Sequence, residues 1–244
     1  MKKISVLSGG LDSTILTYKI VKEFGAENII ALTFNYGQRH NIEIEKSKIT
    51  CTKLGIHQKI LDISFLGDII SGVSALSNKK EVAMPKIKDI LGDPQPPTYV
   101  PYRNMILNAI AFSFAESNEA DSIYTGLQNT DAYSYWDTSP MFVDTMNSVS
   151  NLNRQHQIML IAPFANMTKK EEILIGKKIG VPFEDTWTCY SGEEGSGACA
   201  TCPSCSERIM QFAKAGIKDA CSYTKHIDWE KLIKKYSEDE KEVK

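Results

Sequence analysis

The sequence predicts an α/β protein with a doubly wound parallel sheet and a small metal-binding appendage at its C-terminal end. Strand-like apolar runs alternate with helix-length segments from the N-terminus onward, a pattern typical of parallel sheets. A glycine-rich turn follows the first apolar run directly, and four cysteines are grouped within residues 189–205. We therefore predict an α/β domain over residues 1–185, with ligands at the carboxyl ends of its strands, and a metal-binding region over residues 186–244.

Apolar runs predict the strands of this sheet, and periodic segments between them predict its helices. We expect strands at residues 3–7, 28–34, 59–63, 122–126 and 158–162. We expect helices at residues 13–23, 41–54, 103–117, 140–150 and 168–179. Residues 66–98 are poorly periodic and end in a proline-rich run, which predicts a functional lid or insert. The charged residues 237–244 predict a frayed, solvated end.

The glycine-rich turn has the composition of an anion-binding site. Residues 8–13 read S-G-G-L-D-S, so glycines can turn backbone N–H groups toward a ligand while serine hydroxyls and the next helix add donors. The turn lacks the lysine of a Walker A loop and the spacing of a Rossmann fingerprint. We predict phosphate binding by Leu7, Ser8, Gly9, Gly10, Leu11, Asp12, Ser13 and Thr14. The alternative is a tight turn in which Asp12 or Ser13 only caps the helix.

The cysteine spacing indicates a metal site. Cys189, Cys199, Cys202 and Cys205 lie on a segment with several glycines that could wrap one ion. Four thiolates suit tetrahedral Zn²⁺ or, as a second choice, an iron–sulfur cluster. A reactive dithiol or free buried thiols are the alternatives. A metal held by four protein ligands would be structural, and we interpret Cys51 and Cys221 as ordinary core residues.

The composition is typical of a cytoplasmic enzyme. The chain has 244 residues, of which 42% are hydrophobic, and a net charge of −2. That charge gives no general attraction to nucleic acid or membrane, although a local basic patch is compatible with it. No segment approaches a membrane span, and the N-terminus has no apolar signal core.

Further polar residues follow strands or open helices, where they could reach a nucleotide. We predict that Tyr36, Gln38 and Arg39, after the second strand, bind it through an aromatic face and a cation. Arg103 and Lys169 open helices, where a cation opposes the helix dipole and calls for an anionic partner. The alternative for each is a solvated surface residue.

The motifs together resemble those of one family. The phosphate loop, residues 8–13, resembles that of the N-type ATP pyrophosphatases. Four further runs are F-x-Y-G-Q-R-H at 34–40, T-x-V-P-x-R-N at 98–104, T-G-x-x-x-T-D at 125–131 and T-x-T-C-Y with the cysteines at 186–205. Together with the loop, these runs resemble the motifs of 7-cyano-7-deazaguanine synthases, and the resemblance spans nearly residues 1–220. The resemblance implies the adenine nucleotide alpha hydrolase-like form of the fold, one Zn²⁺ on four cysteines and a homodimer.

The resemblance also implies a reaction. The family converts 7-carboxy-7-deazaguanine, ammonia and ATP into the nitrile precursor of queuosine and archaeosine, through an adenylated carboxylate and an amide. Pyrophosphate would depart into the phosphate loop, with Mg²⁺ near Asp12 and with Arg103 and Lys169 as cationic partners. We expect these three residues to be catalytic, and no covalent protein nucleophile is required.

One segment departs from the family pattern. Where the family has arginine and glutamate in the run after the fourth strand, this chain has Ser139 and Met141. We expect the substrate to be bound by Asp131, Tyr135, Trp136 and Asp137. The departure could be a subfamily variation in which Trp136 stacks on the base. It could also stop the reaction at the amide, or direct the acyl group to an amine on a protein or nucleic acid. Asp137 could instead only cap the helix near Pro140.

A non-catalytic nucleotide-binding or zinc-scaffold protein is an alternative of another class, and a tRNA thiolation enzyme is a further one. The thiolation enzyme would use a cysteine as its sulfur carrier and would hold no tightly bound metal.

Overall fold

Five parallel strands form a sheet in the order β3-β2-β1-β4-β5 in the computed structural model. The structure describes residues 1–37, 42–70, 72–76, 83–90, 92–93, 95–129, 135–192 and 195–242. The strands are β1 (Lys2–Val6), β2 (Ile29–Asn35), β3 (His57–Asp62), β4 (Ala120–Thr125) and β5 (Met159–Ile161). The chain runs outward from β1 to β3 and then returns to the other side of β1, so the predicted doubly wound sheet is confirmed. The strand order reverses between β1 and β4, where such sheets bind ligands.

Helices cover both faces of the sheet. They are α1 (Leu11–Phe24), α2 (Ile42–Leu54), α3 (Phe65–Ile69), α4 (Arg103–Ser117), α5 (Pro140–Ser150), α6 (Lys169–Ile179), α7 (Pro203–Lys214) and α8 (Trp229–Glu242). Each face of the sheet has its own hydrophobic core. Ala31 and Leu32, which are consecutive in β2, belong to different cores because alternate strand residues point to opposite faces. The first core includes residues of α1, α6 and α7, and the second includes residues of α4 and α5.

The C-terminal region packs on the α/β domain. Phe212 of α7 and Trp229 of α8 belong to the first core, together with Leu16 of α1. Cys51 is buried in this core, as predicted, but Cys221 is half-buried and packs beside the cysteine cluster. The interpretation of Cys221 as an ordinary core residue is therefore wrong. The domain boundary at residue 185 stays a prediction.

The structure differs from the sequence predictions in two segments. The insert at residues 66–98 begins inside the short helix α3, and residues 237–242 continue α8 where a frayed end was predicted. The apolar residues Leu232, Ile233 and Tyr236 pack one face of α8 against the first core. Once this face is anchored, the glutamates and lysines that follow extend the helix because they are good helix formers. None of the helices in the described ranges has the length and apolar character that a membrane span needs.

Candidate active site

The phosphate loop lies between the end of β1 and the start of α1. It is therefore at the switch point of the sheet, where the strand order reverses between β1 and β4. Gly9 has φ +89°, and a Cβ there would lie 2.0 Å from the backbone oxygen of Glu43, so only glycine fits. The hydroxyls of Ser8 and Ser13 are 2.9 Å apart, and Ser8 Oγ accepts from the Gly10 N–H at 3.1 Å. Helix α1 has Gly10 as its N-cap and no side-chain cap, which is against the alternative that Asp12 or Ser13 only caps the helix.

Lys169 and Asp12 form an ion pair beside this loop. Lys169 Nζ lies 3.4 Å from Asp12 Oδ2, and both side chains are largely buried. Helix α6 begins at Lys169 and is stabilised by a capping box between Thr168 and Glu171. The expected anionic partner of Lys169 is therefore Asp12. The second oxygen, Asp12 Oδ1, is buried and has no hydrogen-bond partner within the described part of the chain.

A cavity of about 300 Å³ opens over the loop. Its walls come from the start of α2, the start of α4, residues 125–128 at the end of β4, the start of α6 and residues 187–190. A Cβ at Gly126 would lie 3.0 Å from Ser13 N, so β4 closely approaches the loop. The cavity therefore places the loop, Asp12, Lys169 and Arg103 around one volume.

Arg103 opens α4, as predicted, and lines the cavity. Burial lowers its pKa, but three tyrosines and Asp137 around it raise that pKa on balance, so the guanidinium stays charged. The tyrosines are Tyr36, Tyr135 and Tyr190. Burial raises the pKa of Tyr36 although Arg103 opposes the shift, so the phenol stays neutral. Tyr36 lines the cavity, and Gln38 and Arg39 lie outside the described residues, so nucleotide binding by these three residues stays a prediction.

Glu43 is a cavity residue that the sequence did not single out. It lies in the first turn of α2, where an acidic residue is ordinarily explained by the helix dipole, so no sequence signal distinguished it. Burial raises the pKa of its carboxyl group to about 7, against the opposing effect of Arg103. Other cavity residues that the predictions missed include Asn104, Gln128, Thr188 and Glu207.

Of the predicted substrate residues that the structure describes, one lines the cavity and two do not. Tyr135 lines the cavity, and its hydroxyl is 2.9 Å from Thr98 Oγ1. Trp136 is 42% exposed, lies outside the cavity lining and donates from Nε1 to the Tyr99 hydroxyl at 2.9 Å. Asp131 lies outside the described residues. Geometry therefore supports substrate contact for Tyr135 and gives no support for Trp136.

Asp137 is buried outside the cavity lining. Its Oδ2 accepts a hydrogen bond from the backbone N–H of Asn104 at 3.1 Å. Asp137 therefore provides a partner for a backbone N–H in the first turn of α4. The cap of α5 near Pro140 is Ser139, whose hydroxyl accepts from the Phe142 N–H. The alternative that Asp137 caps that helix is therefore wrong, and Asp137 supports the helix that carries Arg103.

The four predicted cysteines converge. The Sγ atoms of Cys189, Cys199, Cys202 and Cys205 all lie within 4.8 Å of one another, and none of these cysteines is in a disulfide. Hydrogen bonds from Cys202 and Cys205 and from backbone N–H groups lower the pKa of Cys189. Sulfur atoms gathered in this way and facing N–H donors fit a metal site with four thiolate ligands.

The cysteine segment is tied to the phosphate loop. Trp187 N–H donates to the Gly9 backbone oxygen at 3.0 Å, and Trp187 Nε1 donates to Cys189 O at 3.0 Å. From α7, Arg208 donates to both carboxylate oxygens of Asp219 at 2.6 and 3.0 Å. The metal region therefore forms one wall of the cavity.

The sheet, the loop at its switch point and the cysteine cluster define a nucleotide-binding α/β protein with a metal site. The sequence model of the family described as "Queuosine biosynthesis protein QueC" matches residues 2–216, and the chain belongs to this family. This membership indicates an ATP-dependent enzyme of the ligase type.

Similar proteins are named 7-cyano-7-deazaguanine synthase. The chain is 36% identical over 222 residues to that of Psychromonas ingrahamii, covering 91% of this chain and 97% of the relative. It is 38% identical over 230 residues to that of Caldicellulosiruptor saccharolyticus, with 94% and 99% covered. It is 35% identical over 240 residues to that of Rhizobium johnstonii, with 97% and 98% covered.

Proposed function

We propose that the protein converts 7-carboxy-7-deazaguanine and ammonia into 7-cyano-7-deazaguanine at the expense of ATP. The carboxylate attacks the α-phosphorus of ATP, ammonia displaces AMP to give the amide, and a second adenylation followed by elimination gives the nitrile. One observation carries the proposal: Asp12 Oδ1 is buried with no hydrogen-bond partner among the residues that the structure describes. It lies beside the phosphate loop and Lys169, in a cavity at the switch point of the sheet.

The loop and its neighbours suit the departure of pyrophosphate. Leaving oxygens would meet the backbone N–H groups at the start of α1 and the hydroxyls of Ser8 and Ser13. Lys169 would neutralise the charge that develops between the α and β phosphates. Asp12 would hold Mg²⁺, and its buried Oδ1 fits a hard cation that prefers carboxylate ligands. When bound, Mg²⁺ would supply charge neutralisation at the phosphates.

Arg103 and the aromatic residues suit the acid substrate. We assign Arg103 to the carboxylate that is to be adenylated, because its charge is permanent and it lines the cavity. Tyr36 and Tyr135 offer aromatic faces for the adenine and the deazaguanine. Gln38, Arg39 and Asp131 stay predicted binding residues.

The cysteine cluster suits Zn²⁺ in a structural role. Four protein thiolates would fill the tetrahedral positions, which leaves no open position for a substrate. The metal would hold the wall that contains Trp187 and Tyr190. We also propose a homodimer, as the family resemblance implies.

Mass spectrometry of the products tests the proposal. Purified protein is incubated with 7-carboxy-7-deazaguanine, ATP, Mg²⁺ and ammonium, and nitrile is the expected end product. Amide alone would limit the function to the first adenylation. Absence of both products would contradict the proposal, and product formed only with an added protein or nucleic acid would support transfer to a macromolecular amine.

A further inference from the structure

Glu43 lies at the wall of the cavity beside the phosphate loop. It belongs to the first turn of α2, and its backbone oxygen lies so close to Gly9 that no side chain fits there. This close packing fixes the start of α2 against the loop. Glu43 therefore lines the cavity from a fixed backbone position next to the predicted site of adenylation.

Two ionisable groups in the described part of the chain interact electrostatically with the carboxyl group of Glu43. They are the guanidinium of Arg103 on α4 and the phenol of Tyr36 after β2. Tyr36 stays neutral and Arg103 stays charged, so neither changes its charge near neutral pH. Glu43 does change its charge there, because burial raises its pKa to about 7. A carboxyl group with such a pKa has the properties of a general base.

We infer that Glu43 is the general base that takes a proton from bound ammonium and releases the ammonia that attacks the activated carboxyl group. A carboxylate attracts ammonium directly, and Glu43 lines the same cavity as Arg103. Arg103 beside Glu43 would hold the acid substrate, so the nucleophile would form next to its target.

This inference rests on the proposed function. The ammonia nitrogen bonds to the carboxyl carbon, the bond from that carbon to the AMP oxygen breaks, and AMP leaves with the electron pair. Two protons leave the nitrogen on the way from ammonium to amide. The first goes to Glu43 and the second to solvent, and Glu43 returns its proton to solvent before the next turnover.

The variant Glu43→Gln separates this role from nucleotide binding. We expect pyrophosphate release from ATP and 7-carboxy-7-deazaguanine without ammonium to stay near the wild-type rate, because adenylation needs no base. Ammonium-dependent amide formation should fall by about 10²–10⁴-fold at neutral pH. Hydroxylamine is already largely unprotonated at that pH, so hydroxamate formation should fall much less.

The pH profile gives a second readout. Wild-type amide formation should rise with pH and level off above about 7. In Glu43→Gln it should follow free ammonia and keep rising by about tenfold per pH unit, so the deficit should shrink in alkaline buffer. Glu43→Asp should keep part of the activity and the levelling. Glu45→Gln is the matched control, because Glu45 is exposed on the same turn of α2 and forms an ion pair with the surface residue Lys48.

Several results would overturn the inference. One is a Glu43→Gln variant that folds and forms the amide at the wild-type rate. Another is an equal loss of pyrophosphate release and amide formation, which would place Glu43 in the nucleotide site. Loss of the levelling in Glu207→Gln instead of Glu43→Gln would assign the base to the other carboxyl group. A wild-type protein that releases no pyrophosphate would fail the proposed function itself, which is a distinguishable outcome.

Discussion

Lys169 Nζ lies 3.4 Å from Asp12 Oδ2, which joins the first turns of α6 and α1 at the edge of the phosphate loop. At the start of a helix, the dipole favours the negative charge of Asp12 and opposes the positive charge of Lys169. The ion pair with Asp12 offsets this unfavourable interaction of Lys169. Within the described ranges, the second Asp12 oxygen is buried without a hydrogen-bond partner, so the pair suits the proposed binding of a cation and a phosphate.

The first prediction concerns this pair. Asp12→Ala should lower ATP-dependent turnover by about 10²-fold or more, because the carboxylate acts on the transition state of adenylation. The variant should stay folded, as checked by thermal melting, because Asp12 is not part of either apolar core. Asp144→Ala, on the exposed side of α5, is the control and should keep its turnover. Retained turnover in Asp12→Ala would exclude this loop as the catalytic one.

The second prediction concerns the cysteine cluster. We expect one tightly bound zinc per chain by elemental analysis, and its loss in Cys202→Ser. Structural zinc contributes about 10 kcal/mol or more to metal-held segments, so Cys202→Ser should expose residues 186–205 to protease. Cys221→Ser is the matched control, because it lies beside the cluster but outside the four ligands. Zinc retained in Cys202→Ser would contradict the ligand assignment.

A third prediction concerns Asp137. Because its Oδ2 accepts from the Asn104 N–H, Asp137→Ala should lower the free energy of unfolding by about 1 kcal/mol, the usual effect of losing such a contact. The KM for the acid substrate should change little if Asp137 only supports α4. A large rise in this KM with unchanged stability would instead favour the sequence prediction that Asp137 binds the base.

The fourth prediction concerns the ion pair behind the metal region. Arg208 and Asp219 are 2% and 0% exposed, so Arg208→Met leaves a buried carboxylate without its main partner. The free energy of unfolding should fall by about 3–5 kcal/mol, as measured by denaturant titration. Lys48→Met removes an exposed ion pair with Glu45 and should have little effect. Equal stabilities of the two variants would show that the buried pair does not anchor this region.

The sequence predicted the elements that local patterns determine. Apolar periodicity predicted the strands and the helices around them, and glycine with serine predicted the loop at Gly9. Arg103 and Lys169 open predicted helices, and the conflict of their charge with the helix dipole was the reason to expect anionic partners.

Properties that depend on distant contacts were not predictable in this way. The partner of Asp137 is a backbone N–H in α4, and that distance is set by packing of the segment before α5. Glu43 has an ordinary sequence context, and its raised pKa comes from burial by elements that are far apart in the chain. Trp136 looked suited to stacking on a base, but Tyr99 and Tyr102 hold it at the surface.

The central claim is that the substrate carboxylate is activated by transfer to the α-phosphate of ATP. It is tested most directly with 7-carboxy-7-deazaguanine whose carboxylate carries heavy oxygen, followed by mass spectrometry of the nucleotide products. Adenylation predicts heavy oxygen in AMP and none in pyrophosphate. Formation of ADP with heavy oxygen in inorganic phosphate would mean activation at the γ-phosphate and would contradict the account.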